Sequence, residues 1–269
     1  MTSLHLDKLH DTAPMPVLFV GHGSPMHAIE DSRFSRAWGE AGAGLPTPSA
    51  ILVVSAHWMT RGASLVHVGG RPRTIHDFGG FPQVLYDAQY PAPGAPDFAA
   101  ATLDLLQNHH TAPDIEWGLD HGAWCVLLRM FPKADVPVYQ LSLDLSRPLP
   151  DHLALARELR TLRRKGVLIV GSGNVVHNLP AMRFGAQAFD WASDFDALVA
   201  GHIEARNFDK LAELNPRDPL TRMAHPTIDH FLPLLYTLGA ADERDRPTFF
   251  AEGFDLGSIS MRSVMLAAS

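Results

Sequence analysis

The stretch GVLIVGSGNVVHNL, residues 166–179, decides how this chain is read. Its first part, Val167–Val170, is an unbroken aliphatic run, the pattern of a strand buried on both faces. A Gly-Ser-Gly step ends the run, and a histidine, His177, follows shortly after. Two other stretches repeat the design. PVLFVGHGSP (16–25) breaks the run Val17–Val20 at His22, and AILVVSAHW (50–58) breaks the run Ile51–Ser55 at His57. A fourth run, Val136–Leu143, also reads as a strand.

Helical patterns lie between these runs. DHLALARELRTLRRKG (151–166) places Leu155, Leu159 and Leu162 on one face, offers Asp151 as an N-cap, and closes a basic last turn with Gly166. PDFAAATLDLLQNHH (96–110) and DWASDFDALVAGHIEAR (190–206) are similar, the second with Phe195, Leu198, Val199 and Ile203 as its buried stripe. Strand–helix–strand alternation predicts a single α/β domain whose central, mostly parallel or mixed sheet is flanked by helices. The Pro/Gly-rich stretch 74–96 is too aromatic for a tether and reads as an ordered loop lying over something. Residues 1–14 are expected as a flexible N-terminal tail and 15–269 as the catalytic domain.

The composition is that of an ordinary globular protein: 269 residues, 46% hydrophobic, 19% charged, enough apolar material for a large core. A formal net charge of −7 with no basic block argues against nucleic-acid or anionic-membrane partners. The N-terminus lacks the pattern of a signal peptide, and no apolar run is long enough to span a bilayer. The lone cysteine, Cys125, excludes an internal disulfide and reads as a small core residue; a cytoplasmic location is expected.

Histidine, at 15 residues, is abundant enough to ask whether it serves a metal or proton transfer. In open α/β sheets ligands bind at the carboxyl ends of the strands, where His22, His57 and His177 all fall. A structural, hydrogen-bonded histidine is an ordinary explanation for any one of them. Three at equivalent strand ends point to a common ion, since neutral imidazole binds Zn, Fe, Cu and Ni. AHPTIDHFLPLLYTLG (224–239) adds a fourth: Asp229 is placed to N-cap a helix beginning at His230, with Pro233 in its first turn, while His225 belongs to the preceding loop. His121, beside Gly122 in LDHGAW, is either a pocket acid or a helix-start histidine, and His76 in TIHDFGGFP is a further candidate for the pocket wall. The chain has no G-x-G-x-x-G opening a helix, no P-loop, no H-E-x-x-H, no C-x-x-C and no nucleophile-elbow spacing. No Glu or Asp is evident as a base beside the histidines, Asp229 being read as a helix cap that could in principle supply a carboxylate, which weighs against a zinc-dependent hydrolase; a non-catalytic ligand-binding protein is the other alternative.

Taken together, GHGSPM, VVSAHW, TIHDFGGFP, YPAPG, GLDHGAW, GSGNVVHNL and HPTIDHFLPLLY resemble the 4,5-DOPA extradiol dioxygenases of the type III, protocatechuate 4,5-dioxygenase (LigB-like) superfamily, in order from about residue 15 onward. The resemblance implies a non-haem Fe²⁺ enzyme that uses O₂ to open a catechol next to its hydroxyls. It implies His22, His57 and His230 as metal ligands, His177 as catalytic base and His121 as a further catalytic histidine. More distant superfamily members complete their ligand set with Glu. The all-histidine set here implies that Zn²⁺ can also occupy the site. Trp58, Trp124 and Phe78 are expected against the substrate ring. Arg61, Arg71 and Arg73 are read as solvated surface. Which catechol is used, and the oligomeric state, are not legible in the sequence.

Overall fold

The computed structural model describes residues 4–268. Six strands form the central sheet: β1 Val17–Gly21, β2 Ala50–Ser55, β3 Val138–Gln140, β4 Val167–Gly173, β5 Asp245–Ala251 and β6 Ser263–Ala268. Their spatial order is β5-β6-β1-β4-β2-β3. β1, β4, β2 and β3 run parallel, and β6 pairs antiparallel with both β1 and β5, so the sheet is mixed.

The apolar runs alternate between two cores because successive side chains leave a strand on opposite faces. Val17, Phe19, Leu52, Val54, Val167 and Ile169 face one cluster, and Leu18, Val20, Ile51, Val53, Leu168 and Val170 face the other. The first cluster includes residues of helices α4 Leu149–Glu158, α5 Asp190–Glu204 and α6 Leu232–Ala240. The second includes Trp38 of α1 Arg33–Ala43 and Trp124 of α3 His121–Met130; helix α2 is Pro96–Leu105. With both faces covered, functional groups can gather only at the strand ends.

Glycine does a specific job in β4. A Cβ at Gly171 would sit 2.4 Å from the Pro233 carbonyl oxygen, and one at Gly173 would sit 2.2 Å from that of His230. The start of α6 therefore lies directly on the strand, and Asn174 N–H donates to the His230 carbonyl at 2.9 Å.

Several expectations are corrected. The predicted helix 151–166 divides: α4 begins at Leu149 with Pro148 rather than Asp151 at its N-cap, and Leu159–Lys165 continue as 3-10 turns. Gly166 does close it, with φ +78°. The predicted strand Val136–Leu143 is shorter, and Leu143–Asp144 pairs instead with Met59–Thr60. Asp229 does not cap α6, whose N-cap is Phe231; its carboxylate is drawn to the ring of His230. Residues 1–3 of the expected tail lie outside the described residues. The remainder is anchored by the basic end of the 3-10 segment: Thr12 N–H donates to the Arg164 carbonyl at 2.7 Å, Lys165 donates to the Leu9 carbonyl at 3.0 Å, and Lys165 pairs with Asp11 at 2.8 Å. Those partners are some 150 residues apart, beyond any local pattern.

Replacing Gly173 by Ala should push His230 off the strand. The expected outcome is a thermal midpoint lowered by several degrees, the scale of an overpacking penalty of ~1–3 kcal/mol, measured by calorimetry.

Candidate functional site

Parallel pairing carries two histidines into place. Past the end of β1, His22 N–H donates to the Gly173 carbonyl at 3.0 Å, and past β2, Ala56 N–H donates to the Ser172 carbonyl at 2.9 Å. His57 follows, its N–H turned onto Ser55 Oγ at 3.2 Å. His230 arrives from the turn before α6. The three rings form a near-equilateral triangle, with centroids 5.0 Å (His22–His57), 5.3 Å (His22–His230) and 5.0 Å (His57–His230) apart. One ring nitrogen from each lies within 4.8 Å of the others, and Nε2 of His22 is 3.1 Å from Nε2 of His57.

Which nitrogens face inward follows from what the outer ones touch. Ser172 Oγ donates to the Gly122 carbonyl at 2.5 Å, so it must accept from His22 Nδ1, 3.0 Å away. His22 Nε2 is therefore a bare lone pair. His230 Nδ1 is hydrogen-bonded to the Asp229 carboxylate, and His57 Nδ1 lies 3.5 Å from Asp77 Oδ2. Oriented imidazoles with outward carboxylate or hydroxyl partners are what a metal-binding histidine requires. A cation about 2.1 Å from two such nitrogens, at a near-right angle, separates them by about 3 Å. The donor set fits a divalent metal.

Burial pushes His22 and His230 well below their ordinary value of 6.5, and the neighbouring histidines push them further. His57 is lowered by burial and then by the charge of His121, against the opposing pull of Asp77. His177, also buried, is lowered to about 4. These four imidazoles are neutral at pH 7, the state in which they bind a metal or accept a proton.

His177 stacks on His230 with ring centroids 3.4 Å apart and planes within 6°. It is set there by a hydrogen bond from its N–H to the Ala224 carbonyl (2.9 Å) and by a bridge to Ile259. His121, the first residue of α3, lies with its ring 3.8 Å from that of His57. Asp77 holds it twice: His121 N–H donates to Oδ1 at 2.8 Å, and His121 Nδ1 lies 3.0 Å from Oδ2. Burial raises the Asp77 carboxyl, but the contacts with His121 and His57 outweigh it, and the net direction is down. Beneath them Asp120 caps α3 and accepts from Ser55 Oγ at 2.6 Å.

All five histidines line one cavity of about 760 Å³, within the ~300–1,000 Å³ usual for small-molecule sites. Phe78 and Phe81, from the loop expected to cover something, line it too. Trp58 and Trp124 do not: Trp58 stacks on Trp117 (5.6 Å), and Trp124 is buried, donating from Nε1 to the Ile75 carbonyl at 2.9 Å. His76 is a packing residue bonded to the Ala88 carbonyl at 2.9 Å, and His225 is buried against Phe195 and Phe231 with Nε2 2.7 Å from the Val175 carbonyl oxygen. Cys125 is core, and Arg61, Arg71 and Arg73 are exposed, as expected. Sequence reasoning missed Asp77, Ser172 and His27, which also lines the cavity. The carboxylates thought to be lacking are Asp77 and Asp229, neither of which had been given that place. Asp77 adjoins the flagged His76, so the TIHDFGGFP motif was the available signal.

The comparisons agree with this geometry. Residues 12–265 match the family model described as the catalytic LigB subunit of aromatic ring-opening dioxygenase, and the chain belongs to that family. It is thereby an enzyme of the oxygen-incorporating oxidoreductases. A 4,5-DOPA dioxygenase extradiol of Escherichia coli K12 is 44% identical over 99% of this chain and 100% of its own length. One from Beta vulgaris is 37% identical over 91% of this chain and 94% of its own. A crystal structure of an uncharacterized protein from E. coli K12 superposes with a TM-score of 0.80 at 39% identity, covering 94% of this chain and 100% of that one. Among the described residues no helix is long and apolar enough to cross a membrane.

The lowered imidazoles give a pH signature in the metal-free protein. His177 and His225, held at about 4 when folded against 6.5 when free, bind more protons in the unfolded chain between those values. Stability is then fully present above about pH 6.5 and is lost as pH falls toward 4. The thermal midpoint of the apo protein should fall steadily from pH 7 to pH 5; a flat profile would contradict the burial of neutral imidazoles.

Proposed function

We propose that the chain is an extradiol dioxygenase that opens a catechol ring beside its two hydroxyls with O₂, using Fe²⁺ held by His22, His57 and His230. The reading is carried by one observation: three neutral imidazoles face one another, with their outer nitrogens directed at Ser172, Asp77 and Asp229. An ion bound there would lower the hydroxyl pKa of a chelating catechol and couple it electronically to O₂. An all-nitrogen set accepts Zn²⁺ as readily, so the ion found in a purified sample depends on supply.

The protein's own part is positioning and proton traffic. His177, neutral and in the cavity wall, takes the proton that a catechol hydroxyl must shed on binding. His121, clamped by Asp77, lies on the other side of the triad and serves as the second proton-transfer group during ring opening. Phe78 and Phe81 offer flat apolar faces to an aromatic ring and limit water at the reacting end. The catalytic unit is 15–269, and a cytoplasmic setting suits a chain whose only cysteine is buried and reduced. The hydrolase alternative gains nothing from Asp77, since that carboxylate is committed to the N–H of His121.

Alanine at His22, His57 or His230 should deplete bound metal, read by elemental analysis; full occupancy in any of them would contradict its ligand role. His177→Phe should keep the metal and lose ring opening by about 10²-fold or more, followed by the yellow absorbance of the product. Asp229→Asn, which leaves the ligand itself intact, should weaken metal affinity by about 10–100-fold in a chelator competition.

A further inference from the structure

The substrate cavity is chemically two-ended. One end holds the five histidines. Other parts of its wall are apolar, with Met26, Leu179, Met182 and Ile259, and carry two carboxylate residues, Glu30 and Asp255. No lysine or arginine is among the residues that line it.

Neither carboxylate has a close lysine or arginine partner among the described residues. The Asp255 side chain is only 26% exposed, and the ion-pair contact it makes is with His27, whose Nε2 is 3.5 Å from Oδ2, beyond good hydrogen-bond length. His27 Nε2 is itself buried without a hydrogen bond, while its Nδ1 faces Ser32 Oγ at 3.0 Å. A partly exposed carboxylate whose only ion-pair contact is this long one, and a buried ring nitrogen without a hydrogen bond, thus stand together on the cavity wall.

Three arginines lie on the segments around Asp255, with Arg33 packed against Gly253, but none reaches ion-pair distance of its carboxylate. Arg33 lies 4.5 Å over the Phe34 ring, Arg183 lies 5.6 Å from that of Phe189, and Arg262 is bound by Asp196 and Glu252. Arg129 donates to the backbone carbonyls of His27 (3.0 Å) and Glu30 (2.8 Å), so some positive charge lies near Glu30. Asp255 is therefore the stronger determinant of the two.

Building on the ring-opening reading above, we propose that the cavity selects catechols by the charge of their side chain, favouring a protonated amine and disfavouring a carboxylate, with Asp255 and Glu30 as the specificity-determining residues. A carboxylate tail would bring a like charge against two carboxylates in a partly enclosed space, whereas an ammonium tail supplies the cation that Asp255 lacks. An amino-acid side chain, carrying both charges, falls between the two. The recognised class is a catechol with an alkylammonium arm, for which a carboxyl group is dispensable.

The test uses the full-length, Fe²⁺-loaded protein and three probes differing in tail charge: 3,4-dihydroxyphenethylamine, 4-methylcatechol and 3,4-dihydroxyphenylacetate. The expected kcat/KM ratio of amine to acid is about tenfold or more, carried by KM and shrinking in high salt. In the double variant Glu30→Gln, Asp255→Asn the ratio should fall to within about threefold of unity, a comparison internal to each protein and so insensitive to partial misfolding. If 4-methylcatechol is opened but the acid is used as well as the amine, or the ratio is the same in the double variant, the charge selection is overturned and the ring-opening reading stands. If no catechol is opened, it is the ring-opening reading that fails. Calorimetric binding of the same probes to Zn²⁺-loaded protein then decides the selection separately: tighter binding of the amine, lost in the double variant, supports it, and equal binding overturns it.

Discussion

Two imidazole nitrogens, one on His22 and one on His57, face each other 3.1 Å apart in a buried pocket. With each ring keeping its proton on the outer Nδ1, toward Ser172 or Asp77, the two facing nitrogens are both lone pairs and repel, and burial makes protonation costly. The contact persists because each ring is held from behind. Ser172 spends its only proton on the Gly122 carbonyl and so can do nothing but accept from His22, while Asp229 and Asp77 attend His230 and His57. A cation relieves the crowding of lone pairs, and in the family to which the chain belongs that role goes to a catalytic metal. Much of the architecture is the means of holding this arrangement.

The means begin in the middle strand. β4 lies between β1 and β2, and its last residues touch everything: Ser172 orients His22, Gly173 accepts the backbone of His22 and lets the His230 turn sit on the strand, and Asn174 fastens that turn. Any side chain at Gly173 would occupy space taken by the His230 carbonyl, so the small residues of GSG are a steric requirement and not merely a loose turn. The loop 74–96 completes the pocket from above, where Asp77 binds the helix start that carries His121.

The cavity is chemically uneven. One end gathers five histidines, backed by the carboxylates of Asp77 and Asp229. The remainder of the cavity is largely apolar and carries Glu30 and Asp255, with no lysine or arginine in its lining. The two ends are joined through the chain, since the segment that carries His22 runs on to Met26 and Glu30 and the one that carries His177 runs on to Leu179 and Met182.

Four of the six strands of the sheet were legible in the sequence, because continuous aliphatic runs admit few other structures; β5 and β6 were not anticipated. His22, His57, His177 and His230 were legible too, because each follows an aliphatic run or precedes a helix where ligands collect, whereas His121 stayed open between a pocket and a helix-start role. Side-chain direction was misread: Asp229 looked like a cap and is a support for His230, and Trp58 and Trp124 looked like ring-stacking residues and are core. Only the tertiary structure decided the partners behind the ligands, since Ser172, Asp77 and Asp229 act through contacts across up to 150 residues. Hydrogen-bond direction, burial and the sharing of one cavity are properties of neighbours in space, and local sequence carries no record of them.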